Sequence, residues 1–512
     1  MTACQDTTAR PRDVGLKFQL MPGSDAILLA DAIFGHAATR VHQITTYHDT
    51  VNGLLFTSGL MLRIRQETDS CVQNVKSRND LTTLANSRME WEWPVTSGTP
   101  EVEHLAAVPE LATIASQIVG RLVPIIVTDV WRTKHLVSLD DGAVAEASLD
   151  TGTVCSGGLS QPIHELELEL KQGPVAPLYR LAIRLADTAP MWLSAESKAA
   201  RGWPLRNGRG NGPSVLRKQR IAKKASASAG LHQFIGALLG HLTTNIAPTL
   251  SGDPEALRQM RGALRQLRAV FRLFRPLLHP DKIARLTGPL RQFAQTFGAA
   301  RDWDVFCVQT LPAAIADLPQ NDWTELSALA DSRRGDARAA VHDAVRGPHF
   351  TRLVLGIALW SETCKALPQN HGTKQLTRRL SKIAPVLLDS FTVKAKQAGR
   401  HPEGLSMSEL HDFRKALDRM NAAIGFLGGT YPAQAVTAYR KRSDAVRDII
   451  GAANDAEVTK VLALQLAPEG GRDLSSSIIA LGKWADQRQH HVLTDLKQAA
   501  RRFSKEAAFW RD

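Results

Sequence analysis

Paired cysteines are missing from this chain. Its five cysteines (Cys4, Cys71, Cys155, Cys307 and Cys364) lie far apart, with no Cys-x-x-Cys among them. That argues against a disulfide framework or a cysteine zinc site and points to a reducing compartment. No apolar run approaches the roughly 18–20 residues that a membrane span needs. The N-terminus has no positive stretch leading into an apolar segment, so no signal peptide is expected and a cytoplasmic location is. Histidine offers no metal site either: the only adjacent pair, His490-His491, has no suitably spaced partner, and neighbours on a helix point in different directions. A secreted mini-protein, a membrane transporter and a chain disordered throughout are excluded, the last because 44% of the residues are hydrophobic and 22% charged.

What is present is length and positive charge. At 512 residues the chain is too long for one core and should form two or more domains. Lys and Arg number 63 against 50 acids, a net charge of +13, which calls for an acidic partner: nucleic acid, anionic membrane or a phosphate polymer. Residues 13–186 carry short β-rich runs broken by Gly, Asn and Asp. Residues 231–512 carry apolar residues at three- and four-residue spacing. Between them, Glu196–Lys224 is basic, with a Gly-rich middle at Gly208, Gly210 and Gly212. The expected organisation is a strand domain over 13–203, a basic linker over 204–230 and a helical domain over 231–512.

The strand half alternates in charge. Residues i and i+2 of a strand share a face. Arg63 and Arg65 therefore oppose Leu62 and Ile64, Glu90 and Glu92 oppose Trp91 and Trp93, and Glu165, Glu167 and Glu169 oppose Leu166, Leu168 and Leu170. Arg132 with Lys134, and Asn74 with Lys76, repeat the pattern. A row of like charges needs opposite charges or ions nearby. The solvent face of a one-sided sheet gives the same alternation in any single strand. Five such strands, basic and acidic both, favour a closed antiparallel barrel whose lumen sets Arg and Lys against Glu. Such a lumen would grip phosphate oxygens with its cations and a divalent metal with its carboxylates.

The pieces VGLKF (14–18), YHDT (47–50), GLMLRIRQE (59–67), CVQNVK (71–76), SRMEWEWPV (87–95), WRTKHLVSLDDG (131–142), HELELELK (164–171) and ESKAARG (196–202) run in an order that resembles the CYTH domain, the triphosphate tunnel fold. The resemblance implies an eight-stranded tunnel that hydrolyses inorganic or nucleoside triphosphate with Mg²⁺ or Mn²⁺. It implies phosphate-binding or catalytic roles for Lys17, Arg63, Arg65, Lys76, Arg88, Glu90, Arg132 and Lys198. It gives metal binding to Asp13, Glu165, Glu167 and Glu169, and Arg201 matches the basic C-terminal segment. One departure stands out: where the family opens on Glu-x-Glu-x-Lys, this chain has Asp13-Val14-Gly15-Leu16-Lys17, and Gly15 has no side chain to coordinate with.

The helical half repeats itself. LRQMRGALRQLRAVF (257–271) aligns with LHDFRKALDRMNAAI (410–424), and GAARDWDV (298–305) with GAANDAEV (451–458), both at an offset of 153 residues. A constant offset marks a duplication, here of two helical bundles over about 231–350 and 383–512. In the first copy Arg258, Arg261, Arg265, Arg268, Arg272 and Arg275 share one helix face, with no acid from Ala256 to Pro280. Ordinary solvated faces mix signs, so this row fits a linear polyanion that relieves its repulsion. These stretches resemble the CHAD domain, which implies binding of inorganic polyphosphate, including polyphosphate granules. The resemblance adds Arg301, His411, Arg414, Lys415, Arg419, Arg440 and Lys441 to the polyphosphate-binding set. Arg258 stands at the first of the family's histidine positions, and Asp418 and Asn421 stand where bases are usual in the second copy.

Three functions follow: a triphosphatase tethered to polyphosphate, a polyphosphate-binding protein with a lapsed tunnel, or a nucleic-acid-binding protein. The last is disfavoured by the lack of an aromatic-interleaved single-strand motif or a recognition helix. The expected fold is α+β and multidomain, an eight-stranded antiparallel barrel followed by an all-α domain.

Overall fold

The computed structural model describes residues 10–34, 38–77, 84, 86–208, 212–216, 219, 221–222, 224–278, 280–365, 374–469 and 472–511. Two compact units emerge from the packing. One contains residues up to 216 together with 236–259 and 345–363; the other contains 217–235, 260–344 and 364–512.

In the first unit, β-branched and aromatic residues alternate with charged ones and form strands. They are β1 (Arg10–Leu20), β2 (Thr39–Asp49), β3 (Leu60–Glu67), β4 (Ser70–Ser77), β5 (Asn86–Pro94), β6 (Val123–Ser138), β7 (Val144–Ser156), β8 (Leu159–Gln172) and β9 (Met191–Leu193). The sheet is antiparallel, ordered β5-β4-β3-β2-β6-β7-β8-β1-β9, with a further β1–β5 pairing. Among the described residues the sheet thus has nine strands where eight were expected. The extra strand is a three-residue piece that takes the end of β1, Phe18–Leu20, while β5 takes its start. The apolar side of the alternation is buried: Leu62, Ile64, Trp91, Trp93, Leu166 and Leu168 are all core residues. Two clusters form there, one around Leu60, Trp91 and Leu111, the other around Tyr47, Ile126 and Trp203. Trp203 lies on the helix Lys198–Asn207, which starts on the Ser197 cap and ends on Gly208 in the left-handed region (φ 62°), a conformation glycine adopts without penalty.

The duplication is visible in helix limits. Pro254–Phe274 and Pro280–Val305 have counterparts Met407–Leu427 and Ala433–Leu466, starting at the same 153-residue offset. The copies diverge at Val305, where the first passes into a π-helical turn, Phe306–Thr310, while the second continues unbroken. Pro312 explains the difference: it has no N–H for the Val308 carbonyl and its ring crowds that turn, whereas Gln465 stands at the matching position. Within the second unit both copies share one core, in which Trp303, Phe306, Trp323 and Leu326 pack with Leu462, Leu466, Leu481 and Trp484. Among the described residues no helix is long and apolar enough to cross a membrane.

Candidate active site and cationic cavity

Antiparallel register sets acids against bases across neighbouring strands. Lys17 faces Glu167, Asp150 stands between Arg132 and Glu165, and Lys76 faces Glu90. Lys17, Lys76 and Arg132 thus meet opposite charge on the next strand rather than in solvent, whereas Arg63 and Arg65 pair in register with Asn74 and Val72. The polar faces line a cavity of about 270 Å³, bounded by Lys17, Arg63, Arg65, Lys76, Arg132 and Lys198 among the cations and by Glu90, Glu92 and Glu167 among the acids.

Against one side of it lies a knot of carboxylates and bases, reached from the cavity through Lys17, Arg132, Glu167 and Lys198. Arg132 donates to both Asp150 oxygens (2.7 and 2.6 Å) and to Glu167 at 2.7 Å. Lys17 lies 2.7 Å from Glu167 and 3.3 Å from Glu165. Lys198 reaches Asp150 at 2.6 Å, Glu167 at 3.1 Å, and Glu165. Arg201 adds a 3.5 Å contact to Glu165. Asp150 and Glu165 are fully buried, with 0% exposure. Burial pushes Asp150 and Glu167 up, but the cations beside them win and hold both below the usual carboxylate range, Glu167 well below it. Burial likewise works against the charged forms of Arg132 and Lys198, and the surrounding carboxylates outweigh it and raise both.

The structure brings together one acid that sequence reasoning missed and sets apart one that it grouped. Asp150, Glu165 and Glu167 offer oxygens that all lie within 4.8 Å of one another. Glu169 lines the same cavity but stands outside that group, 2.7 Å from Lys171. Four residues of strand separate Glu165 from Glu169, about 13 Å at roughly 3.3 Å per residue, so a shared face does not put both in one carboxylate group. Asp150 gave no local signal; it is a lone acid between Ser148 and Gly152, legible only through its register. Further round the cavity, Lys76 meets Glu90 at 2.8 Å and Arg65 meets Glu92 at 3.1 Å, while Arg63 donates to Asn74. Burial, then the neighbouring Arg63, lowers Arg65. Asp13 and Arg88 are opposite each other in the β1–β5 register, and their side chains lie outside the described residues. Gly15 shares the Lys17 face of β1. A β-carbon there would sit 3.2 Å from the Leu168 carbonyl oxygen, so a side chain needs that strand to yield by a few tenths of an ångström.

The second unit holds a cavity of about 370 Å³ lined by residues from both copies of the repeat. Arg261 and Arg414 are offset-mates, and so are Asp302 and Asp455; all four line it, together with Arg301, His411 and Asn454. His411 Nδ1 lies 3.3 Å from Asn454 Oδ1. Burial raises Asp302 and Asp455 above the usual carboxylate range despite the arginines beside them.

Residues 13–203 match the family model of the CYTH domain, and residues 233–464 that of the CHAD domain. The chain carries a CYTH domain followed by a CHAD domain. An inorganic triphosphatase of Haemophilus influenzae is 32% identical over 161 residues, covering 31% of this chain and 45% of that protein. The match thus spans less than half the length of this curated relative. The crystal structure of the CHAD domain from the plant Ricinus communis is similar in fold, with a TM-score of 0.50 at 23% identity, over 57% of this chain and 97% of that one.

The CHAD arginine row divides by environment. Arg258 is held by Glu255 through two hydrogen bonds of 2.6 and 2.5 Å, just outside the acid-free stretch. Arg261 lines the cavity. Arg268 and Arg272 are lowered first by burial and then by other arginines, Arg291 and Arg419 beside Arg268, Arg419 and Arg268 beside Arg272. Arg419 thus brings a base where Asp418 and Asn421 do not; Asn421 is turned inward to Asp444 and Ser443. Arg265 and Arg275 are exposed. Lys415 pairs with Asp412 at 3.1 Å. Arg440 and Lys441 lie on Ala433–Leu466 and do not line the cavity.

Proposed function

We propose that the CYTH domain is a divalent-metal-dependent inorganic triphosphatase and that the CHAD domain binds inorganic polyphosphate, placing the activity on polyphosphate chains or granules in the cytoplasm. The observation that carries the first part is a cavity with cations around its wall, one of whose lining acids, Glu167, converges with the buried Asp150 and Glu165 behind that wall. The β1–β5 pairing supports a closed tunnel, which would shield the reacting phosphates from bulk water.

Three carboxylates form a donor set suited to a hard cation such as Mg²⁺ or Mn²⁺, and Asp150, Glu165 and Glu167 would hold it. When bound, the ion neutralises phosphoryl charge and polarises the attacked phosphorus. The chain's own contribution is positioning: Lys17, Arg63, Arg65, Lys76 and Arg132 grip phosphate oxygens along the wall and absorb charge as the bridging oxygen leaves with diphosphate. Gly15 favours a second reading, a tunnel that still binds phosphate but no longer cuts it.

Phosphate release from inorganic triphosphate, with Mg²⁺ or Mn²⁺, separates the two. Metal-dependent release by the native chain is expected. No release by the native chain, with release gained in Gly15→Glu, would make this a binding protein with a lapsed tunnel. Silence from both would overturn the triphosphatase reading.

For the CHAD domain, the two raised aspartates set a pH dependence. As pH falls they protonate earlier than ordinary carboxylates, removing negative charge beside Arg261, Arg301 and Arg414. Polyphosphate binding is therefore expected to tighten as pH falls toward the carboxylate range. The titration is run on a His411→Gln background, so that the carboxylates are read without that side chain. Asp302→Asn with Asp455→Asn should then flatten the profile, and an unchanged slope would count against the cavity as the binding site.

A further inference from the structure

Lys198 occupies the middle of the carboxylate cluster. An ammonium has three N–H donors, and Lys198 has three carboxylate partners, Asp150, Glu165 and Glu167. These are the same three residues that form the acidic group suited to a metal ion. Resting on the metal-dependent reading above, we propose that Lys198 is a built-in counter-cation, which holds the cation position of the tunnel until a metal ion displaces it and then serves the phosphate instead.

The distances support exclusion. Oxygens stand 2.6 and 3.1 Å from the nitrogen at Asp150 and Glu167, an ammonium's spacing. A bound Mg²⁺ needs oxygens at about 2.1 Å, so the carboxylates must draw inward, and the ammonium cannot stay between them. Its backbone is fixed. Lys198 opens its helix, Ser197 caps it by accepting from the Ala200 N–H, and Trp203 is locked in the core. The change is therefore a swing of the flexible side chain. Both Ser197 and Lys198 line the 270 Å³ cavity, which is where that side chain can go.

The destination makes the swing conditional. Lys17, Arg63 and Arg132 line the same cavity, so a released ammonium meets like charge unless an anion is present. Phosphate oxygens supply that anion. Metal and phosphate then favour each other's binding through one side chain, and the coupling must be reciprocal. Metal alone pays for exposing Lys198 to its cationic neighbours; phosphate alone leaves Lys198 with the acids.

The test reads Mn²⁺ binding by the electron paramagnetic resonance of the free ion, using the full chain without phosphate. Lys198→Met is expected to bind Mn²⁺ about tenfold or more tightly than the native chain, within the usual range of coupling energies. Lys134→Met removes the same charge from the same cavity wall without an ion pair to the cluster among the described residues, and should change affinity far less. Sulfate, a weak chelator, should raise Mn²⁺ affinity in the native chain more than in Lys198→Met. Lys198→Gln repeats the comparison should the methionine variant fail to fold. Equal Mn²⁺ affinity in the native chain and the Lys198 variants, with Glu165→Gln lowering it, would overturn the proposal and leave the metal site standing. Mn²⁺ binding indifferent to Glu165→Gln would overturn both.

Discussion

Glu165→Gln is expected to lower metal-dependent phosphate release by about three powers of ten, while Glu169→Gln costs less than about tenfold. Sequence periodicity ranks the two glutamates alike; the structure does not. Glu165 is wholly buried and touched by Lys17, Lys198 and Arg201. Glutamine keeps its shape but loses the charge and turns an amide donor toward other donors. Lys17, Arg132 and Lys198 then share two carboxylates, Arg201 loses its ion pair, and the donor set for the metal is short by one. Removing one partner from a buried ionic network also costs about 3–5 kcal/mol of stability, so rates should be normalised to the folded fraction found by urea titration. Glu169 is 40% exposed and answers Lys171 outside the cluster, so its loss leaves the knot intact. Equal losses in the two variants would mean that the metal lies elsewhere along β8.

Replacing Arg268 and Arg272 together by alanine is expected to weaken polyphosphate binding by about a hundredfold at low salt, since hydrogen bonds to charged groups contribute roughly 1.5–3 kcal/mol each. Arg268 is partly buried and Arg272 exposed, and both have other arginines as their charged neighbours, so the site is under repulsion that a polyanion would relieve. The salt dependence of binding should shallow as fewer counterions are displaced. Arg258→Ala is the contrast: Glu255 already satisfies Arg258, and binding should change little. Isothermal titration with polyphosphate of defined length checks all three. A larger loss in Arg258→Ala than in the double variant would move the binding surface to the other end of the helix.

Much of the catalytic candidate was readable from alternation. Arg63 with Arg65, Glu90 with Glu92, and Glu165 with Glu167 each follow from a period of two, and the cavity is lined by members of every pair. Alternation says which face a residue takes. It says nothing of where along a strand the neighbours fall, which is why Glu169 was grouped with Glu165 and why Asp150 went unseen. Likewise the six-arginine row was evident at helical spacing, but its division into a paired arginine, a cavity arginine and a cluster with Arg419 depends on residues distant in the chain.

By itself, then, the amino-acid order determined the change from strand to helix texture, the charged and apolar faces of each strand, the duplication at an offset of 153 residues, and the excess of positive charge. These are local or compositional properties, set by side-chain periodicity and backbone geometry. Only the tertiary structure decided which acids converge, that Lys198 stands among them, and that the offset-mates Arg261 and Arg414, Asp302 and Asp455 meet across one cavity. Those outcomes rest on inter-strand register and on the packing of distant helices, where a shift of one residue exchanges an inward charge for an outward one.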